Sequence, residues 1–182
     1  ALPNKKGTAP GILINKDHKI IVMLPGPPFE MEPMFTDYVI PYLSKLSNKT
    51  IYSRVMKFYG IGESALEEEI KDLLENQTNP TIAPLAKMGE VTLRLTAKAT
   101  NAGEAQNLIL PIESEIKKRI GKYLYAYDDQ TIDQVVADLL FRYNKTIATA
   151  ESCTGGLIAH RLTNIPGISS YFERGIVSYS NL

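Results

Sequence analysis

Apolar and polar positions recur along this chain with two periods, and the period switches at turn-forming residues. Two short apolar runs near the N-terminus, Ile12-Leu13-Ile14 and Ile20-Ile21-Val22-Met23-Leu24, flank the polar turn Asn15-Lys16-Asp17-His18. They predict two strands with a loop after each. Pro25-Gly26-Pro27-Pro28 stiffens the second loop. Residues 30–43 then predict a helix, interrupted or restarted at Pro33 and ended around Pro41. A hairpin and one helix in about 45 residues cannot hold a core alone.

The period-2 pattern returns at Thr50 and continues to Tyr59, with Ile51, Val55 and Phe58 among polar partners, until Gly60 and Gly62 break it. Ser64 and Glu67 have the spacing of a capping box. Leu66, Ile70, Leu73 and Leu74 follow at helical spacing. Pro80 opens a strand through Leu85, and Lys87-Met88-Gly89-Glu90 turns it back. Val91, Leu93, Leu95 and Ala97 then alternate with Thr92, Arg94, Thr96 and Lys98, the pattern of a half-buried antiparallel strand. Asn101 and Glu104 signal a second helix, lined by Ala105, Leu108, Ile109, Ile112 and Ile116, which Pro111 should kink and Gly121 should end. A strand over 122–127 completes β-α-β-β-α-β, the split βαβ plan.

Thr131 and Gln134 form another capping signal ahead of a helix whose face carries Ile132, Val135, Val136, Leu139, Leu140 and Tyr143. The β-branched run over 145–150 predicts a buried strand. Leu157, Ile158, Ala159 and Leu162 predict a helix closed by Asn164 and Pro166-Gly167. Between them stands Glu151-Ser152-Cys153-Thr154-Gly155-Gly156. A serine on such a turn is exposed, and glycines let a ligand approach the backbone. The first helical amides are expected to be unpaired and partly positive, able to hold an oxyanion or a phosphate. The same turn also fits a plain helix cap by Ser152. Three segments result, 1–47, 48–128 and 129–182, in a mixed α+β and α/β chain.

Charge changes this picture little. Lys and Arg number 20 against 20 Asp and Glu, which gives no bulk attraction to a phosphate backbone. Residues 49–127 carry 11 basic against 10 acidic side chains, and no Gly-x-x-Gly lies between paired helices. Tyr123, Tyr125 and Tyr127 form an alternating row that can stack bases, but on a single strand such a row is expected to pack. Nucleic acid is therefore a disfavoured partner. The single cysteine, Cys153, excludes an internal disulfide and fits a reducing cytoplasm. No apolar stretch approaches the roughly 20 residues of a membrane helix, and no signal-peptide pattern opens the chain. We therefore expect a cytoplasmic protein without membrane contact. Both ends, Ala1 and an apolar run closing at Leu182, read as cut. The third segment supplies about 50 residues, where domains typically need about 100. Its uncovered apolar faces lead us to expect a homo-oligomer, a dimer.

Glu151 to Gly156, with Gly167 and then Tyr171-Phe172-Glu173-Arg174-Gly175-Ile176-Val177-Ser178-Tyr179-Ser180-Asn181, closely resembles the start of the C-terminal domain of the CinA (competence/damage-inducible) family. That resemblance runs from about residue 130 to the end. It implies the opening of a three-layer α/β nicotinamide-nucleotide amidase domain. Asn4, Gly7-Thr8-Ala9-Pro10-Gly11 and Leu24-Pro25-Gly26-Pro27-Pro28-Phe29-Glu30-Met31 resemble the end of the family's molybdopterin-binding-like domain. In that family the position of the middle segment is occupied by a small linking domain described as KH-like. The N-terminal resemblance implies an alternative activity, ADP-ribose pyrophosphatase with a divalent metal, although the family's earlier glycine- and aspartate-bearing motifs are absent. A third reading is an adaptor or nucleic-acid-associated protein acting in competence or DNA damage.

For the amidase, with a small-molecule nucleotide as substrate, the resemblance makes Ser152 the nucleophile and Tyr179 its partner tyrosine. The family's lysine falls beyond Leu182, so the fragment itself is expected to be inactive. No metal or other cofactor is expected for this reaction. Serine needs a base, and a Ser-His-Asp triad is disfavoured: His18 lies in another segment and His160 lies inside the helix after the loop. Cys153 is the alternative nucleophile, but adjacent side chains on an extended turn point in different directions, so it is assigned to packing. Thr154, Gly155 and Gly156 are expected to offer backbone donors to an oxyanion or phosphate, and Arg174 to pair with the phosphate.

Overall fold

A computed structural model describes residues 1–87 and 89–180 of the chain. The two N-terminal runs pair antiparallel as β1 (Ile12–Lys16) and β2 (Lys19–Met23), with Lys16 opposite Lys19. Asp17 and His18 form the tip at φ 51° and 61°, the left-handed pair that matches the natural strand twist. Helical structure then runs from Pro28 to Ser44 as α1 (Pro28–Met34), a π-helical stretch (Phe35–Val39) and α2 (Ile40–Ser44). The expectation that Pro41 ends the helix is wrong. A proline ring clashes with the carbonyl four residues back, and here that carbonyl belongs to the wider π turn, which makes room for the ring.

The described residues fall into two compact units, one of Ala1–Thr50 with Ala99–Ala102 and one of Ile51–Lys98 with the described residues from Gly103 onward. In the second unit β3 (Thr50–Phe58), β4 (Thr81–Lys87), β5 (Glu90–Ala99) and β6 (Leu124–Tyr127) form one sheet in the order β4-β5-β3-β6. Chain order and sheet order together give the split βαβ plan. β4 carries Pro84 on the sheet edge, where no inner ladder bond is lost.

Helices α3 (Glu63–Glu69), α4 (Lys71–Glu75) and α5 (Ala102–Ile120) supply the rest of this core. Phe58, Leu66, Ile70, Leu93, Leu95, Ile109, Ile116 and Ile120 are all buried. The capping box at Ser64 does not form. Gly62, extended at φ −79° and ψ 157°, is the cap without a side-chain bond, and Ser64 lies inside the helix. Leu66, within this helix, is fully buried. The helix also breaks at Ile70 (φ −121°), whose side chain is fully buried. Pro111 sits within one continuous helical run. Both Pro111 and Asn107, whose carbonyl loses its usual partner, are exposed to water. The tyrosines of β6 are half-buried: Tyr125 donates to Glu90, and Arg54 lies 5.4 Å over the Tyr127 ring.

After β6, α6 (Ile132–Tyr143) opens with the expected box, in which the Thr131 hydroxyl accepts from the Gln134 amide and the Gln134 side chain accepts from the Thr131 amide. Asn144 closes it at φ 49°. Next come β7 (Ile147–Glu151), α7 (Leu157–Thr163), a single 3₁₀ turn (Ile168–Ser170) and β8 (Phe172–Val177), with β7 and β8 parallel. Gly175 of β8 lets α7 approach closely: a Cβ there would lie 2.8 Å from the Ala159 Cβ. Arg161 of α7 pairs with Asp133 of α6.

Candidate active site

β7 and β8 end side by side. Glu151 lies opposite Val177, and the Ser178 amide donates to the Glu151 carbonyl at 2.8 Å. Ser152 leaves the end of β7 and Tyr179 leaves the end of β8, so the sheet brings both residues to one edge. Crevices beyond the carboxyl ends of parallel strands are where α/β sheets place their ligands. Ser152 is exposed and Tyr179 is 79% exposed, so the tyrosine is free of the core.

The loop is a tight turn. The Gly155 amide donates to the Ser152 carbonyl at 3.0 Å, and Gly155 and Gly156 stand at φ 61° and 93°. A Cβ on Gly156 would lie 3.2 Å from Val177 Cγ2. Only glycine enters both conformations without strain. Cys153 is exposed, which corrects its assignment to packing. The turn projects outward from the strand end, so adjacent residues all reach water.

The residue that sequence reasoning passed over is Glu151. It is 4% exposed, and its carboxylate accepts the Ile158 and Ala159 amides, each at 2.9 Å. The expectation of unpaired helical amides is therefore wrong: an internal carboxylate occupies the N-terminus of α7, where negative charge is favoured. Burial pushes the Glu151 carboxyl up, but the Ala159 and Ile158 amides, the Thr154 hydroxyl and the Gly156 amide outweigh it and hold it below the usual carboxylate range. The available signal was an acidic residue seven places before a helical amide, buried at the end of a strand. Helix-cap rules look one to three residues away and miss it.

Arg174 is not brought to the loop. It stands opposite Ala148, four residues short of Ser152 along the strand direction, about 13 Å at roughly 3.3 Å per residue. His160 lies on α7 with its Nε2 3.4 Å from Asn164 Nδ2. Asn181 of the Tyr-Ser-Asn motif lies outside the described residues.

In the N-terminal unit the two motifs that carried the other resemblance meet each other. Asn4 Oδ1 accepts the Lys6 and Gly7 amides, and Asn4 Nδ2 donates to Ala9 O and to Glu30 Oε2. The Glu30 carboxylate thereby fills the space beside Gly7, where a Cβ would fall 2.1 Å from its oxygen. Among the described residues no group of three or more His, Cys, Asp or Glu is placed to hold a metal ion, and no helix is long and apolar enough to cross a membrane.

Two family models match the chain: "Damage-inducible protein CinA KH domain" over residues 53–126 and "CinA C-terminal domain" over residues 129–182. The chain belongs to the CinA family. A competence-damage inducible protein of Clostridium botulinum (strain Okra / Type B1) is similar at 56% identity over 180 residues, 99% of this chain and 44% of the relative. A CinA-like protein of Dictyoglomus thermophilum is 52% identical, and a competence-damage inducible protein of Caldicellulosiruptor saccharolyticus 49%, with the same coverage. The chain thus spans less than half the length of these CinA relatives.

Proposed function

We propose that the full-length CinA protein to which this chain corresponds hydrolyses the amide of a nicotinamide nucleotide, with Ser152 as nucleophile and Tyr179 beside it. The observation that carries this reading is the exposed Ser152 at the end of β7, with Tyr179 leaving the adjacent end of parallel β8. Ser152 Oγ adds to the carboxamide carbon, the C–N bond breaks, and the leaving nitrogen takes the serine proton and departs as ammonia. Water then cleaves the acyl-serine ester to release the nicotinate nucleotide and restore the hydroxyl.

The base follows the family pattern, a tyrosine–lysine pair in which Tyr179 is the tyrosine and the lysine lies past Leu182. Gly155 already donates to Ser152, the Glu151 carboxylate draws the amides of Ile158 and Ala159, and the Gly156 amide also supports that carboxylate. Among the donors proposed from sequence, the oxyanion therefore falls to the backbone amide of Thr154. The nucleotide phosphate would need a group other than Arg174.

Ser152→Ala in the full-length protein tests this. Ammonia release from nicotinamide mononucleotide should fall by about 10³-fold or more, as for loss of an activated nucleophile. Unchanged release would remove Ser152 from the reaction.

A further inference from the structure

We propose that Glu151 is the positioning residue of this site, fixing the Ser152 hydroxyl by clamping both ends of its loop; this rests on the amidase reading above. The loop from Ser152 to Gly156 departs from β7 and returns as α7, and Glu151 closes both points. Its backbone carbonyl accepts the Ser178 amide, which ties the exit to the end of β8. Its side chain forks onto the return, Oε2 to the Ile158 amide and Oε1 to the Ala159 amide. Ser152 is the next residue, one Cα away from the clamp. A nucleophile displaced by about 1 Å loses on the order of 10²-fold in rate, and inside the loop only the Gly155 amide on the Ser152 carbonyl, the Leu157 amide on the Thr154 carbonyl and two left-handed glycines add to the clamp's restraint.

The fork requires two acceptors. A glutamine supplies one acceptor and turns an N–H toward a backbone N–H, which leaves a buried donor unpaired. An aspartate keeps both acceptors but is one methylene shorter. Charged and titratable neighbours on the surrounding elements are Cys153 in the loop, His160 and Arg161 on α7, Asp133 on α6, Glu173 and Arg174 on β8, and Tyr179 just past its end. Among the described residues none of them hydrogen-bonds to Glu151. Arg161 is engaged with Asp133 and His160 contacts Asn164. The clamp is a carboxylate held by the Ile158 and Ala159 amides, and the nearby Thr154 hydroxyl favours its charged form.

The experiment compares wild type, Glu151→Gln, Glu151→Asp and Ser152→Ala in the full-length protein. It measures kcat and KM for the nicotinamide nucleotide, together with hydrogen exchange of the Ile158 and Ala159 amides. We expect Glu151→Gln to lower kcat about 100-fold with KM within about twofold, Glu151→Asp to recover part of that loss, and the two amides to exchange about tenfold faster or more in Glu151→Gln. Faster exchange with wild-type kcat would reduce Glu151 to a helix cap and overturn the proposal. Unchanged exchange would overturn it as well. A dead Ser152→Ala beside a fully active Glu151→Gln would sink this proposal alone, whereas an active Ser152→Ala would sink the amidase reading and this one with it. Should Glu151→Gln fail to fold, acid titration of the wild type decides: the Ile158 and Ala159 amide shifts should move together with the acid limb of kcat, and movement without loss of kcat would overturn the proposal.

Discussion

Glu151 has its folded-state carboxyl below the usual range, so its stabilising contribution is complete above the unfolded carboxylate value of about 4.3 and is lost as pH falls through the lower folded value. Acid should therefore loosen α7, and the effect should vanish in Glu151→Gln; amide exchange across Leu157–Thr163 as pH is lowered checks it. Tyr127 behaves oppositely. Burial, with the Glu113 carboxylate acting through its charge, pushes the phenol up to about 12. Its buried hydroxyl makes no hydrogen bond by geometry, so desolvation carries the shift. The neutral phenol's contribution holds below about 10, its unfolded value, and is lost as pH rises through about 12. Tyrosinate absorbance should lose a late-titrating phenol in Tyr127→Phe, while Tyr125, pushed up by burial and its bond to Glu90, stays late-titrating in both proteins. Cys153, exposed at the loop tip, should react with a small thiol reagent in the folded protein as fast as a free thiol of the same ionisation; protection until unfolding would contradict the loop described here.

Elements show where periodicity sufficed and where it failed. The alternation of Val91, Leu93, Leu95 and Ala97, and the box at Thr131, were legible because each signal is local to two to four residues. The π turn before Pro41, the helix start at Gly62 and the break at Ile70 were not legible, because each is decided by what must be buried or accommodated elsewhere. The Ser152–Tyr179 proximity is a register fact about two strands separated in sequence, readable only through family likeness. Glu151 escaped because its partners lie seven and eight residues ahead. Two glycines test the packing of these elements. Gly175→Ala should cost about 1–3 kcal/mol, since α7 must shift off β8. Gly156→Ala should cost about 1–2 kcal/mol from its left-handed backbone and should lower kcat as well. Denaturant melting of both variants checks the stability claims.

At the scale of the whole molecule, the second unit joins the KH-matching sheet and the C-terminal CinA segment in one contact cluster. In the latter, Leu139, Tyr143, Leu157, Ile158, Ile176 and Val177 are substantially exposed, a concentration of apolar surface unusual for an isolated monomer. We expect the 182-residue chain alone to self-associate as its concentration rises in sedimentation experiments; a monomer at every concentration would contradict that expectation. The role of Ser152 is decided by stopping full-length protein in acid during turnover of nicotinamide mononucleotide and mapping the acylated peptide. A nicotinoyl-nucleotide ester should be found on Ser152, and Ser152→Ala should form none. An adduct on Cys153, or turnover undiminished in Ser152→Ala, would contradict that role.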